Sequence, residues 1–204
     1  MTITYMPPID GEEMANISEF EINEMTSMVY DTRKKILSGK PIPFGRNTTL
    51  ERWNIFIKKL ITLDDVFVIR VFDENKLVGY RFVRPMKYCP FIYCENEEDE
   101  KKYKYIKDWL ISEGLNLEEG IGSGQQATHK DYLNQGIGTK VRLLCNEETK
   151  RRGYTWALVY DLDTKVRWDW SFHYYTKYFS NLVMSDIKTP MEFGGYGNFY
   201  YYRI

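Results

Sequence analysis

A single α/β domain spanning residues 1–204 is the fold class that three observations predict. Apolar spacing along the chain switches repeatedly between a helical period and strand-like runs. Two β-branched and aromatic runs, Val66 to Phe72 and Leu77 to Val83, flank Asp73-Glu74-Asn75 as a hairpin would. Gly136 and Gly138 open an amphipathic helix directly after a strand-like segment. Alternation of this kind packs helices against a sheet.

Ile3 to Pro7 reads as a short edge strand ended by Pro7-Pro8. Asp10 and Glu13 have capping-box spacing, in which the first side chain takes an orphan N–H and the second reaches back. A long helical stretch follows through Met14, Ile17, Met25, Met28 and Val29 and stops near Ser38-Gly39 and Pro41. Thr48 and Glu51 make a second box. Trp53, Phe56, Ile57 and Leu60 then recur at i, i+3, i+4 and i+7, giving that helix one apolar face. After the hairpin, Pro85 ends the second strand.

Met86 to Asn116 is an excursion. Glu95 to Glu100 carries five acids in six positions, and Lys101, Lys102, Lys104 and Lys107 follow, a charge order that suits a helix dipole. A solvated surface helix and a binding lid both fit this run. Leu117 to His129 is the expected central strand; its Gly120, Gly122 and Gly124 either admit a close neighbour or mark a bulge. The helix from Gly136 to about Arg152 should bury Val141, Leu144 and Cys145 and end at Gly153. Thr155 to Leu162 reads as a buried strand, 165–182 as a helix, and Met191 to Ile204 as a closing strand rich in Tyr and Phe.

Hydrophobic residues at 43% and charged residues at 28% are the balance of a soluble globular protein. A net charge of −1 argues against nucleic acid or an anionic membrane as partner. The aromatic tail from Phe199 to Tyr202 fits a core strand better than a base-stacking platform. No apolar run approaches the ~20 residues that cross a bilayer, and Met1 to Pro8 lacks the basic start and apolar stretch of a signal peptide. Cys89, Cys94 and Cys145 have no framework spacing and predict reduced thiols in the cytoplasm. His129 and His173 form no ligand cluster, so no metal is expected.

The chemistry sits in Tyr132-Leu133-Asn134-Gln135-Gly136-Ile137-Gly138-Thr139-Lys140. A glycine turn at a helix N-terminus aims several backbone N–H groups at one point, which is how proteins hold phosphate. A cofactor bearing a pyrophosphate is therefore expected. Preceded by Thr128-His129-Lys130-Asp131 and followed by a helix ending in Lys150-Arg151-Arg152-Gly153-Tyr154, this stretch resembles the Gln/Arg-x-x-Gly-x-Gly/Ala signature of the GNAT superfamily of N-acetyltransferases. The order of elements is similar along nearly the whole chain, and the residue-level match covers mainly 126–182. Leu133 stands where the family carries Gln or Arg, and Lys130 where a proline is frequent.

The resemblance implies the GNAT fold, a mixed, mostly antiparallel central sheet flanked by helices, with acetyl-CoA (coenzyme A) as cofactor. It implies direct attack by the amine of a small molecule or peptide in a ternary complex. Leu133, Asn134, Gln135, Gly136, Ile137, Gly138 and Thr139 would surround the pyrophosphate, and Gln126, Ala127 and Thr128 would pair with the pantetheine arm. Ser171-Phe172-His173-Tyr174-Tyr175-Thr176-Lys177-Tyr178-Phe179 resembles the family's Ala-x-x-x-Tyr-x-Lys-x-Gly-Phe segment, with Phe179-Ser180 in place of Gly-Phe. That makes Tyr175 the implied general acid for the departing thiolate, with Tyr174 a rival through a one-residue shift. The place where the family often carries a glutamate base is Gly122 here. Glu118, Glu119 and His129 are weak substitutes, and no base is assigned. The missing base and imperfect tyrosine segment keep a second reading open, a catalytically silent GNAT fold that binds CoA or serves as an interaction module.

Overall fold

A computed structural model describes residues 2–37, 49–89, 92–93, 97–122, 124–162, 176–179, 181–185, 189–190 and 196–204. In chain order they form β1 (Ile3–Tyr5), β2 (Ile9–Asp10), α1 (Gly11–Ala15), α2 (Glu19–Leu37), α3 (Leu50–Ile61), β3 (Phe67–Asp73), β4 (Lys76–Pro85) and α4 (Glu97–Ser112). There follow β5 (Gly120–Gly122), β6 (Gln126–Thr128), α5 (Ile137–Arg151), β7 (Trp156–Leu162), β8 (Val183–Met184), β9 (Thr189–Pro190) and β10 (Tyr196–Arg203). Two compact units result, Met1–Val83 with Gly124–Glu148, and Arg84–Ser123 with Thr149–Ile204.

The first unit has an antiparallel sheet. β1 and β2 pair with β3, and β3 pairs with β4 from Phe67↔Val83 to Asp73↔Lys76. The hairpin is the expected one, with Glu74 at φ +53 in its tight turn. On its other side β4 pairs with β6, placing Gly79 opposite Thr128 and Arg81 opposite Gln126. Met14, Met25, Val29, Ile57, Leu60, Val78 and Phe82 fill the core, and the buried Tyr80 donates its hydroxyl to the Met25 carbonyl at 3.0 Å. The apolar stripe of α3 is real: Ile57 and Leu60 are buried and Trp53 packs edge-on against Phe56.

Helix boundaries differ in detail from the sequence expectation. Asp10 occupies the N-cap of α1 without a side-chain capping bond. The long helix restarts at Ser18, whose Oγ accepts from the Glu21 N–H at 3.2 Å. The cap of α3 is Thr49, accepting from Arg52 at 3.3 Å, one position past the expected box; Thr48 lies outside the described residues. A hydroxyl one residue along can satisfy the same orphan donors, so spacing alone did not separate the two threonines.

The second unit has a mixed sheet. The end of β4 pairs antiparallel with β5, placing Arg84 opposite Gly122. β5 pairs parallel with β7 from Gly120↔Trp156 to Gly122↔Leu158, and β10 pairs antiparallel with β7, β8 and β9. Beyond Leu158, β7 pairs only with β10 among the described residues. The aromatic tail is core: Phe199, Tyr200, Tyr201 and Tyr202 are all buried. α4 buries Tyr103, Ile106 and Leu110 against Trp156, Leu158 and Tyr201. Its lysines lie mid-helix, because the helix runs on to Ser112 with no base in its last turn. The expected dipole arrangement is therefore only half present.

The expected central strand over 117–129 is broken into a 3-10 turn at Leu117–Glu119, β5 and β6. Two of its glycines answer to the protein's own packing. A Cβ on Gly120 would overlap the indole of Trp156, and one on Gly124 would overlap the Phe82 carbonyl.

Candidate cofactor site

The site in the first unit begins at β6, whose second edge has no strand partner among the described residues. His129 follows, and a 3-10 turn at Lys130–Tyr132 leads into the glycine turn. Asn134 at φ +62 and Gly136 at φ +77 both take the left-handed conformation, which asparagine and glycine tolerate best. These reversals swing the chain into α5. Lys140 N–H is the first to bond, to the Gly136 carbonyl at 3.0 Å. The N–H groups of Gly136, Ile137, Gly138 and Thr139 therefore meet no acceptor among the described residues. Residues 133–136 are exposed, so solvent and ligand reach this turn freely.

Such a terminus attracts an anion. The dipole supplies about 0.3–1 kcal/mol, up to about 2 where partly buried. Each N–H bonded to a charged oxygen adds roughly 1.5–3 kcal/mol. Direct bonds outweigh the dipole, so backbone N–H groups alone can hold an anion where the Leu133 side chain offers no donor. Leu133 is exposed at the turn, Gln135 bonds back to the Asp131 carbonyl at 3.3 Å, and the Ile137 side chain is buried as the anchor of the helix start.

Of the three β6 residues, Ala127 is buried, whereas Gln126 and Thr128 are partly exposed. The Gln126 side chain is engaged within the protein. Its Oε1 accepts from Arg81 Nη1 at 2.9 Å and Arg142 Nε at 2.8 Å, and its Nε2 donates to the Gly138 carbonyl at 3.2 Å. Oε1 is committed to both arginines and one Nε2 hydrogen to Gly138, so the side chain is held in place. Sequence reasoning missed Arg81 and Arg142; the signal for Arg81 is a lone charge inside the apolar run from Leu77 to Val83.

A groove of about 290 Å³ runs along α2 beside this turn, with Glu24, Met28 and Asp31 on one wall and Thr128, His129 and Leu133 on the other. Burial and then neighbouring Glu21 hold the Glu24 carboxyl above its ordinary value. Burial first, then Lys76, hold the His129 imidazole below its ordinary value. His129 Nδ1 accepts from the Asp131 N–H at 3.3 Å, which leaves Nε2 as the protonated nitrogen of the neutral ring. The ring is one of the residues that line the groove. Lys130 is exposed, and Glu119 is occupied by Asn116 and Thr155.

Tyr175 and Tyr174 lie outside the described residues. Among the described residues no group of three or more His, Cys, Asp or Glu side chains could hold a metal, and no helix is long and apolar enough to cross a membrane.

No protein-family model matches the sequence, nor does any curated protein. Solved structures do match in fold. A ribosomal-protein-alanine N-acetyltransferase from Brucella melitensis superposes with a TM-score of 0.60 at 10% identity, over 98% of this chain and 100% of its own. The PaiA N-acetyltransferase from Thermoplasma acidophilum, solved in complex with coenzyme A, superposes with a TM-score of 0.58 at 10% identity over all of both chains. An N-acetyltransferase from Staphylococcus aureus gives 0.54 at 8% identity over 98% of each. With its mostly antiparallel sheets, its hairpin and its glycine turn opening a helix, this chain has the fold of the GNAT acetyltransferases.

Proposed function

We propose that this protein is an N-acetyltransferase that moves an acetyl group from acetyl-CoA to an amine. The observation that carries the reading is the solvent-facing turn with the acceptor-free N–H groups of Gly136, Ile137, Gly138 and Thr139. A diphosphate supplies the acceptors those groups lack. The edge of β6 that has no strand partner among the described residues offers backbone groups of Gln126 and Thr128 to the amides of a pantetheine arm, as a further strand would, while those of Ala127 face β4. A protein of the same fold, PaiA, was solved with coenzyme A, which supports the cofactor.

In this reaction the neutral amine nitrogen attacks the thioester carbonyl. The carbon–sulfur bond breaks, the thiolate takes a proton from Tyr175, and the nitrogen, cationic after attack, gives up a proton through water that restores the phenol. Direct transfer is favoured over a cysteine intermediate by Cys145, a fully buried thiol pushed up to about 12 by its burial. Cys89 is likewise buried and forms no disulfide among the described residues. Free thiols suit a reducing compartment such as the cytoplasm.

Calorimetry with CoA tests the cofactor, and thiol release from acetyl-CoA over an amine panel tests the chemistry. Tyr175→Phe should slow the chemical step by about 10²–10⁴ with CoA affinity nearly intact; an undiminished rate moves the role to Tyr174 or water. Binding without thiol release from any amine would favour the second reading, a silent GNAT fold that retains CoA.

A further inference from the structure

Gln126 and Gly138 face each other across the space between β6 and the first turn of α5. Two guanidinium groups converge on the Gln126 amide, Arg81 Nη1 at 2.9 Å and Arg142 Nε at 2.8 Å. Guanidinium nitrogens only donate, so they select the oxygen end of the amide. The nitrogen end must then turn the other way, and it meets the Gly138 carbonyl at 3.2 Å. Arg81 is 4% exposed, and its Nε finds no acceptor among the described residues. Burying a cation in this way is costly unless its geometry is used. Gly138 leaves the room: a Cβ there would stand 2.8 Å from Gln126 Nε2, closer than real contacts allow.

The carbonyl that Gln126 holds belongs to the same helical turn as the N–H groups that lack acceptors. A rigid peptide plane fixes the Thr139 N–H opposite the Gly138 carbonyl, so holding one aims the other. We infer that Gln126, its side chain oriented by Arg81 and Arg142, is a positioning residue whose amide sets the aim of the phosphate-binding N–H groups without itself touching the diphosphate. This rests on the acetyl-CoA reading above and adds to it three side chains that act through Gly138.

Gln126→Glu is the discriminating variant. It keeps an acceptor for both arginines but loses the donor, and it sets a carboxylate against the Gly138 carbonyl. Two readouts are needed. Amide NMR of the ligand-free protein should show Gly138 and Thr139 shifted and more mobile, and calorimetry should show the Kd for CoA raised about tenfold or more. Arg142→Lys, which retains a charge but no fork, should give a smaller change of the same kind. Unmoved amide signals overturn the inference, and so does a disturbed turn with unchanged affinity. A wild type that binds CoA alongside an unaffected variant overturns this inference alone; a wild type that does not bind CoA overturns the functional reading with it.

Discussion

The phenol of Tyr132 donates a 2.8 Å hydrogen bond to Asp73 Oδ2, joining the residue that leads into the glycine turn to the tip of the β3–β4 hairpin. The other carboxylate oxygen accepts from the Thr2 N–H at 2.9 Å, and Lys76 Nζ sits 5.5 Å above the Tyr132 ring. The hairpin tip thereby braces the lead-in to the turn. The bond from Tyr132, then that from Thr2, holds the Asp73 carboxyl below its usual range. Such a carboxylate adds stability above its unfolded pKa, and the contribution is lost as pH falls through the folded value. Tyr132→Phe keeps the ring and removes the bond. Its CoA affinity should fall a few-fold in calorimetry. Its melting temperature should also lie closer to wild type below about pH 4 than at neutrality. A constant gap across pH would dissociate Asp73 from the effect.

Gly136→Glu should abolish CoA binding while the fold survives. No atom lies within 4 Å of where its Cβ would stand, so the new carboxylate has room and falls among the N–H groups meant for phosphate. The left-handed φ of +77 adds a backbone cost of about 1–2 kcal/mol for a non-glycine residue. Gly136→Asn separates the two effects, since asparagine tolerates that conformation and carries no charge. Calorimetry should find CoA bound by the asparagine variant and not by the glutamate one. Equal loss in both would assign the defect to backbone strain.

His129 makes the protein less stable in mild acid. Its folded value lies below the ordinary one because burial and Lys76, with Lys130, disfavour the cation more than Asp131 and Asp31 favour it. As pH falls past about 6.5 the unfolded chain takes up this proton first. Stability fully present above that point is then lost until the folded imidazole also titrates. His129→Asn retains a side-chain acceptor for the Asp131 N–H and removes the titration. Melting curves between about pH 5 and pH 7 should fall more steeply for wild type than for the variant. Parallel curves would contradict this.

The hairpin and the glycine turn are legible because each is local: alternating apolar residues flank a polar turn in one case, and a left-handed φ favours glycine at 136 in the other. The apolar stripe of α3 is legible for the same reason. The break in the 117–129 segment is not, because strand-like residues do not reveal which neighbour each pairs with. Only the fold shows β5 pairing with β4 and β7, and β6 pairing among the described residues with β4 alone. The bracing of the turn is equally hidden. Arg81 lies 45 positions before Gln126, Asp73 lies 59 before Tyr132, and no spacing rule links residues so far apart.

Gly120→Ala should be among the more damaging single-methyl changes in the second unit. The added Cβ would overlap the indole of Trp156, which is 1% exposed and tied by Nε1 to the Asn116 carbonyl at 2.8 Å. The ring has no room to retreat, because Gly120 and Trp156 are also paired in the parallel ladder. Overpacking of this kind costs about 1–3 kcal/mol. In a chain of this length each kcal/mol lowers the melting temperature by about 2–4 °C. Trp156→Phe should destabilise on its own by opening a cavity, yet combining it with Gly120→Ala should cost less than the two singles together. Strict additivity in thermal melts would mean that the methyl and the indole do not compete for the same space.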